Sequence, residues 1–229
     1  MKKTIGLIGG VSWVSTAEYY KRLNRLARAR WGGHASARIV LSSLDVDEIL
    51  ALQTADDAEA EASLLLRHAK NLENAGADVI LVCSNTTNKT LGLFKSALSI
   101  PVPCIVESAA EKVTAAGYRK VGLLGTRFVM YGDFYRRIFA DRGIKCVVPE
   151  VQDGAAIDRI IYDEFVKDKS EQSSIDLIEK VIFAMARNQV DAVVLACTEL
   201  PVFILHKEIG GVPIVDTIDT HIAAISEYV

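Results

Sequence analysis

Short aliphatic runs alternate with longer amphipathic stretches along this chain. The runs are typical of buried parallel strands, and the stretches repeat apolar residues at helical spacing. Strands are predicted at 4–8, 38–41, 77–83, 100–106, 121–124, 145–148, 190–197 and 212–215. Helices are predicted over 16–30, 56–75, 88–98, 107–116, 133–142, 156–167, 174–188 and 220–228, with a loop containing one helical turn at 42–53. Strands that alternate with helices indicate βαβ units, so the predicted fold class is α/β with parallel sheets.

Two of the predicted strands end in a cysteine in similar surroundings. The run from Ala77 ends in Cys83, and the run from Val190 ends in Cys197. Small hydroxyl, amide or acidic residues follow each cysteine: Ser84, Asn85 and Thr86 after the first, Thr198 and Glu199 after the second. Ligands of open α/β sheets bind beyond the carboxyl ends of the strands. The pattern therefore predicts that the two thiols serve one shared site, although a single cysteine of this kind could also be a packing residue.

The second half of the chain repeats the first. The segment 5–9 matches 121–125, the segment 19–23 matches 134–138, and 101–107 matches 212–216, in the same order and at a nearly constant offset. One such match between aliphatic strands is weak, but three in order indicate a duplication. The predicted architecture is two similar parallel-sheet α/β domains related by a pseudo-two-fold axis, with the active site in the cleft between them.

Composition narrows the classes of protein that need to be considered. Half of the 229 residues are apolar, which is enough to bury a substantial core. The net charge of −3 gives no reason to expect nucleic acid or an anionic membrane as a partner. No apolar run reaches the roughly 20 residues of a membrane helix. The first strand breaks at Gly9 and Gly10, unlike a secretory signal, so the cytoplasm is the expected location.

The other cysteines and the glycines give no sign of a metal or nucleotide site. The four cysteines form no C-x-x-C pair, which argues against zinc, and a reducing compartment argues against disulfides. Cys104 and Cys146 lie in aliphatic segments and are interpreted as core residues. The turn at Gly9 and Gly10 lacks the G-x-G-x-x-G spacing of a dinucleotide loop. The four histidines are scattered and are interpreted as structural or exposed.

Four motifs together resemble the aspartate/glutamate racemase superfamily, and the resemblance covers essentially the whole chain. They are 6–13, Cys83 with Asn85 and Thr86, 122–126, and Cys197-Thr198-Glu199. Glutamate racemases typically carry Asp-Ser after the first strand and His after the second Cys-Thr. This chain has Gly10-Val-Ser12 and Glu199 there, which resembles the aspartate racemase branch.

The resemblance implies an amino-acid racemase of aspartate or glutamate that needs no cofactor and no metal and forms a homodimer. Because members of this branch exchange the last segment between domains, the N-terminal domain is expected to comprise 1–99 with 208–229. The C-terminal domain is then expected to comprise 100–207. The first carries Cys83 and the second Cys197.

The chemistry of racemisation suits the residues after the two strands. Two acid/base groups on opposite sides of Cα remove one proton and return another, and this kind of catalysis supplies roughly 10²–10⁴-fold. Accessible thiols with a pKa below the usual value of about 8.5 are expected at Cys83 and Cys197. Backbone N–H groups and the side chains of Asn85, Thr86, Thr126 and Thr198 are suited to stabilise an enolate-like carboxylate.

Each remaining site candidate has an alternative interpretation. By the resemblance, Ser12 and Gln53 contact substrate, and Ser84 belongs to the same binding set; surface turn residues are the alternative. Arg127 is either a donor to a distal carboxylate or a solvated residue at a helix start. Glu199 either tunes the Cys197 thiol or is an acid at a helix N-terminus.

Substrate choice stays open at this point. Aspartate-specific members usually place an arginine in the loop that corresponds to 47–50, where this chain has Ile49, and their later lysine has no match beyond Lys167. A broad-specificity racemase, a related cysteine-dependent decarboxylase or isomerase, and a non-enzymatic small-molecule binder are the alternatives.

Overall fold

The computed structural model describes residues 2–229, which fall into two compact units. The first unit extends to Ile105 and includes His221–Val229, and the second comprises Val106–Thr220. Both are α/β units built on parallel strands, so the predicted fold class is confirmed.

The first unit contains a three-stranded parallel sheet in the order β2-β1-β3. Its strands are β1 (Thr4–Gly9), β2 (Arg38–Ser43) and β3 (Val79–Val82). Its helices are α1 (Trp13–Trp31), α2 (Val46–Thr54), α3 (Ala58–Asn74) and the single turn α4 (Leu91–Phe94), which lies between two 3₁₀ segments, Thr86–Thr90 and Lys95–Ala97. Every residue of β3 is buried, as the continuous aliphatic run predicts for a strand covered on both faces.

The second unit contains a five-stranded sheet in the order β5-β4-β6-β8-β7. After α5 (Ile105–Ala115), its strands are β4 (Lys120–Leu124), β5 (Lys145–Val147), β6 (Ala192–Leu195), β7 (Glu208–Ile209) and β8 (Val212–Asp216). Its helices are α6 (Arg127–Met130), α7 (Asp133–Ala140), α8 (Val151–Asp163), α9 (Gln172–Arg187), α10 (Leu200–Phe203) and α11 (Thr217–Ala223). Only β7 runs antiparallel to its neighbour.

The two sheets share one local order. In each unit the first strand pairs with the next strand along the chain on one side and, on the other, with the strand that precedes the cysteine. Ile8 pairs with Val82 in the first sheet, and Leu124 pairs with Leu195 in the second. The strand order thus repeats in the way that the matched sequence segments indicate.

The predicted strand at 100–106 is wrong. Residues 100–104 are irregular, and α5 begins at Ile105. Pro101 and Pro103 have no N–H to donate to a ladder, and the contact with β3 is reduced to the N–H of Ile80 donating to the carbonyl of Pro101 at 3.0 Å. The matching segment of the second unit has a single proline and does form a strand, β8.

One loop prediction and one helix prediction also need correction. The predicted loop at 42–53 contains α2, whose N-cap Asp45 accepts from the N–H of Asp47 at 3.0 Å. The predicted helix at 88–98 is instead one α-helical turn between two 3₁₀ segments. In this stretch the hydroxyls and amides after Cys83 hydrogen-bond nearby backbone groups and compete with a regular helix.

The units do not follow the domain bounds expected from the resemblance. β8 pairs with β6, so the chain remains in the second unit through Thr220 rather than leaving it at residue 208. Residues 100–105 belong to the first unit. The returning segment is anchored by Arg30 and Trp31, which donate to the carbonyls of Ser226 and Val229 at 2.6 and 3.0 Å.

Candidate functional site

Cys83 lies immediately beyond the carboxyl end of β3. Its N–H donates to the carbonyl of Ile8 at 2.9 Å, so its backbone is tied to the adjacent end of β1. The side chain is fully buried, and Sγ lies 3.8 Å from the carbonyl of Leu81. Burial raises the pKa of the Cys83 thiol well above its usual range. The expected lowered pKa is therefore wrong.

The polar residues after Cys83 form a buried turn at the same edge of the sheet. Ser84, Asn85 and Thr86 are all buried. Asn88, which sequence reasoning did not select, holds this turn: its Nδ2 donates to the carbonyl of Ser84 at 2.6 Å, and its Oδ1 accepts from the N–H of Ile105 at 3.2 Å. The signal for it was an amide placed five residues after the cysteine.

Ser12 lies on the neighbouring turn, beyond the carboxyl end of β1. It is buried and is the N-cap residue of α1, and its carbonyl accepts from Oγ1 of Thr16 at 2.8 Å. Gly10 has φ +84°, and a Cβ added there would overlap the backbone of Leu44. Glycine is required at this position because the loop after β2 passes directly against the turn.

Gln53 is buried rather than exposed, and it belongs to a polar network within the first unit. Its Nε2 donates to Oε1 of Glu61 at 3.0 Å, and Nζ of Lys89 lies 3.5 Å from the other oxygen of Glu61. Burial raises the pKa of Glu61, while the hydrogen bond from Gln53 and the charge of Lys89 oppose the rise. Sequence analysis did not select Glu61 or Lys89. Acidic residues are common in the first turn of a helix, because they interact favourably with the positive end of the helix dipole, so Glu61 did not stand out.

Cys197 lies two residues beyond the end of β6 in the second unit, whereas Cys83 follows β3 directly. It is buried, and its Sγ donates to Oε2 of Glu199 at 2.9 Å. Oγ1 of Thr198 lies 3.3 Å from the same oxygen. Burial raises the pKa of Cys197, and the negative charge of Glu199 raises it further. Glu199 thus contacts the thiol directly, whereas an accessible thiol of lowered pKa was expected.

Thr126 and Arg127 lie at the carboxyl end of β4, beside the Cys197 strand. Thr126 is buried and is the N-cap residue of α6, without a capping hydrogen bond from its side chain. The N–H of Arg127 donates to Oδ1 of Asp158 at 2.7 Å, and its Nη1 lies 3.6 Å from Oδ2 of the same carboxylate. The guanidinium is more than half exposed and lies over the ring of Phe128, with Cζ 4.8 Å from the centroid. Asp158 thus accepts a hydrogen bond from the backbone of Arg127 and forms an ion pair with its side chain.

Tyr162 adds a second residue that sequence reasoning missed. It lies one helical turn after Asp158 on α8, and burial raises the pKa of its hydroxyl. The negative charge of Asp158 raises that pKa further, as does that of Cys197 when it is ionised, so the phenol lies in the electrostatic surroundings of Cys197. Polar residues spaced i, i+4 on a largely apolar helix were the available signal.

The structure therefore gathers the candidates into two sets, one in each unit. Ser12, Gln53 and Cys83 with 84–86 belong to the first unit, and Cys197 with Thr126, Arg127, Thr198 and Glu199 to the second. Among residues 2–229, no group of three or more His, Cys, Asp or Glu side chains is arranged to hold a metal ion. The helices within that range include none that is both long and apolar enough to cross a membrane.

The fold and the site together define a class: an α/β protein in which each of two units presents a buried thiol and polar turn residues beyond its parallel strands. This chain belongs to the Asp/Glu/Hydantoin racemase family, whose family model matches residues 8–225.

Solved structures and curated relatives agree with this assignment. A candidate Asp/Glu racemase from Yersinia pestis is 37% identical, with 99% of this chain and 98% of that chain covered and a TM-score of 0.87. An aspartate racemase from Picrophilus torridus is 26% identical over 99% of this chain and 94% of that one, with a TM-score of 0.81. A glutamate racemase from Streptococcus suis is 34% identical over 132 residues, which span 54% of this chain but only 45% of that relative.

Proposed function

We propose that this protein is a cofactor-independent amino-acid racemase that interconverts the L and D forms of aspartate or glutamate. Cys83 and Cys197 are the two acid/base groups in this proposal. The observation that carries it is the duplicated arrangement of the thiols: each follows the strand next to the first strand of its sheet, and each is followed by buried polar residues. The family assignment supports the reaction class. By the resemblance alone, we also propose that the protein acts as a cytoplasmic homodimer.

In the proposed reaction one cysteine acts as thiolate and the other as thiol. The thiolate sulfur takes the proton from Cα, and the electron pair of the broken C–H bond moves into the carboxylate to give an enolate-like intermediate. The thiol then delivers its proton to the opposite face of the carbon and becomes the thiolate. The roles reverse for the other enantiomer, so protons and charge balance over one turnover.

The raised thiol pKa values constrain how the thiolate arises. In the folded protein the protonated form of both thiols is favoured, because burial disfavours the charged form. A substrate ammonium group brings a positive charge, which lowers the pKa of a neighbouring thiol. At Cys197 the carboxylate of Glu199 already accepts the Sγ–H hydrogen bond, so it is the group suited to receive the proton when Cys197 is to act as the base.

Negative charge develops on the substrate carboxylate during the reaction, so the site needs hydrogen-bond donors whose interaction with it becomes stronger as that charge increases. Hydroxyls and amides at the strand ends can provide these hydrogen bonds, and preorganised donors of this kind are commonly a large part of catalysis. The candidates in the first unit are Ser12, Ser84, Asn85 and Thr86, and those in the second are Thr126 and Thr198. All six are buried, so they are held in place before substrate binds.

The test is racemisation by purified protein. L-Aspartate and L-glutamate are incubated with it, and the D form is followed by chiral chromatography. Cys83→Ala and Cys197→Ala should each abolish racemisation in both directions, by about 10²-fold or more. Cys104→Ala and Cys146→Ala are matched controls, one in each unit, and should retain activity.

A finer readout separates catalysis from packing. Each catalytic single mutant keeps one base, so in deuterated water it should exchange the α-proton of one enantiomer with retention of configuration. The two mutants should prefer opposite enantiomers. A folded Cys83→Ala protein with near-normal racemisation would exclude the two-base mechanism.

A broad-specificity racemase is the second candidate, and one observation favours it. Ile49, which stands where aspartate-specific relatives usually have an arginine, is fully buried, and Arg127 already shares its charge with Asp158. Neither position offers a free cation for a distal carboxylate. Measuring kcat/KM for a panel of acidic, neutral and basic L-amino acids decides between the candidates: a preference of less than about tenfold for aspartate or glutamate supports the broad racemase.

A further inference from the structure

Glu61 is a buried carboxylate that the reaction described above does not use. It lies in the first turn of α3, and its side chain is fully buried. Among residues 2–229, its Oε2 is the only buried side-chain nitrogen or oxygen that makes no hydrogen bond. A buried carboxylate is unfavourable unless its charge is paired, so its neighbours indicate its role.

Gln53 is the hydrogen-bond partner of Glu61, and the chemistry of the pair fixes the orientation of the amide. An ionised carboxylate only accepts hydrogen bonds, so Gln53 must turn its nitrogen toward Glu61, as observed at 3.0 Å. The amide oxygen of Gln53 is then left as an acceptor. No donor among the described residues reaches this oxygen. Among these residues, Oε2 of Glu61 is the only fully buried side-chain nitrogen or oxygen without a hydrogen bond, so the oxygen of Gln53 keeps some contact with solvent.

Lys89 is the charge partner of Glu61. Its Nζ lies 3.5 Å from Oε2, and its side chain is four-fifths buried, which favours the ionised form of the carboxyl group. If Glu61 were protonated it could donate to the amide oxygen of Gln53, and the amide would no longer have one required orientation. Lys89 thus supports the acceptor orientation of Gln53.

The network lies at the edge of the sheet where Cys83 is found. α2, which carries Gln53, follows the carboxyl end of β2, and Lys89 lies on the 3₁₀ segment that follows Cys83 beyond β3. Glu61 in the first turn of α3 joins these two segments. The network thus fixes the orientation of an acceptor oxygen and ties α2 to the segment that follows Cys83.

We infer that Glu61 is a positioning residue that fixes Gln53 as the hydrogen-bond acceptor for the ammonium group of a bound amino acid. This inference rests on the proposed racemase function and adds to it the substrate group that the first unit recognises. Its consequence is selectivity. The site should favour an α-amino acid over the dicarboxylate that has the same carbon skeleton without the amine.

The experiment measures that selectivity as a ratio of dissociation constants. Titration calorimetry compares L-aspartate with succinate, and L-glutamate with glutarate, on the full-length protein. Gln53→Met keeps the length of the side chain but removes the acceptor. Glu61→Gln is isosteric and lets the amide of Gln53 adopt either orientation. Glu59→Gln, an exposed position on the same helix, is the matched control.

The expected result is a loss of amine recognition alone. In Gln53→Met and in Glu61→Gln the preference for L-aspartate over succinate should fall by about tenfold, because a hydrogen bond to a charged group contributes at least that much. Succinate affinity should stay the same, and the double mutant should lose no more than Gln53→Met. Glu59→Gln should match the wild type. Were Glu61→Gln unable to fold, Lys89→Met, which removes the charge partner of Glu61, would take its place and should lower the preference in the same direction.

Several results would overturn the inference. An unchanged preference in Gln53→Met would show that Gln53 is not the acceptor, and an unchanged preference in folded Glu61→Gln would show that Glu61 does not position it. An equal weakening of both ligands would indicate a merely structural role. A wild-type protein that shows no preference for the amino acid, or binds none of the four ligands, contradicts it as well. Racemisation by the wild type is followed separately: its absence refutes the proposed function, while the ligand preference still decides the role of Glu61.

Discussion

Acidification should destabilise the first unit through one buried imidazole, His221. Its Nε2 faces the carbonyl of Pro103 at 3.1 Å and must donate, so Nδ1, which lies 2.8 Å from the hydroxyl of Tyr19, must accept. The ring is fully buried and neutral, and burial lowers its pKa from 6.5 to about 4. Protonation would remove the acceptor on Nδ1 and place an unpaired charge in the core.

The size of the effect follows from the difference in pKa between the folded and unfolded states. The unfolded chain binds a proton near pH 6.5 and the folded chain only near pH 4, so stability is fully present above pH 6.5 and falls as the pH decreases toward 4. The total loss is about 3 kcal/mol, at roughly 1.4 kcal/mol per pKa unit. Between pH 7.5 and pH 5 the free energy of unfolding should decrease by about 2 kcal/mol on account of His221.

Urea unfolding followed by tryptophan fluorescence is the appropriate assay. The two tryptophans, Trp13 and Trp31, both lie on α1, so their emission reports the unit that contains His221. His221→Gln provides the reference, because its amide can donate to Pro103 and accept from Tyr19 without titrating. The variant should lose about 2 kcal/mol less than the wild type between the two pH values. Equal losses in the two proteins would refute the argument, and His206→Gln in the other unit serves as the control.

Two further predictions concern the Cys197 thiol and the turn after β1 that contains Gly10. Glu199→Gln removes the negative charge that raises the pKa of Cys197. Alkylation of Cys197 by iodoacetamide, measured by mass spectrometry, should therefore begin at lower pH than in the wild type, while alkylation of Cys83 is unchanged. Identical pH profiles for Cys197 in the two proteins would contradict the contact between Glu199 and the thiol. Gly10→Ala should destabilise the protein in urea by more than Gly76→Ala. Both glycines have φ +84°, where an alanine costs about 1–2 kcal/mol of backbone strain. Only at Gly10 would the new Cβ also overlap the backbone of Leu44. Equal losses of stability in the two variants would show that the loop can shift.

Regular elements with strong patterns were predictable from the sequence. The aliphatic runs before Cys83 and Cys197 are β3 and β6, and the Ala- and Leu-rich stretch is α3. Their signals are local, because a strand buried on both faces needs an uninterrupted apolar run and a packed helix needs an apolar stripe. The segment 100–106 has the same aliphatic character, but its prolines cannot donate the backbone hydrogen bonds of a strand. Whether such a segment still pairs as a strand depends on the neighbouring strand, which only the tertiary structure shows.

The candidate site was only partly predictable, for a related reason. Residue type and order identified the cysteines and the hydroxyls and amides after them. Asp158 and Tyr162 lie on a helix far along the chain from Arg127. Their i, i+4 spacing is the one local signal, and it does not indicate which residues they contact. Gln53 was identified by resemblance, whereas its partner Glu61 appeared to be one of several acids on α3.

By itself the sequence determined the α/β class, the internal repeat, the position of each thiol beyond a buried strand, and the family. These follow from periodicity and from short motifs, which operate over a few residues. Tertiary structure alone decided the protonation of the groups and the course of the last segment. A pKa depends on burial and on charges brought close by folding, so Cys197 beside Glu199, and Glu61 between Gln53 and Lys89, acquire their properties only in the packed protein. Likewise β8 stays in the second unit because β6 offers it a hydrogen-bonding edge, and that edge exists only once the sheet has formed.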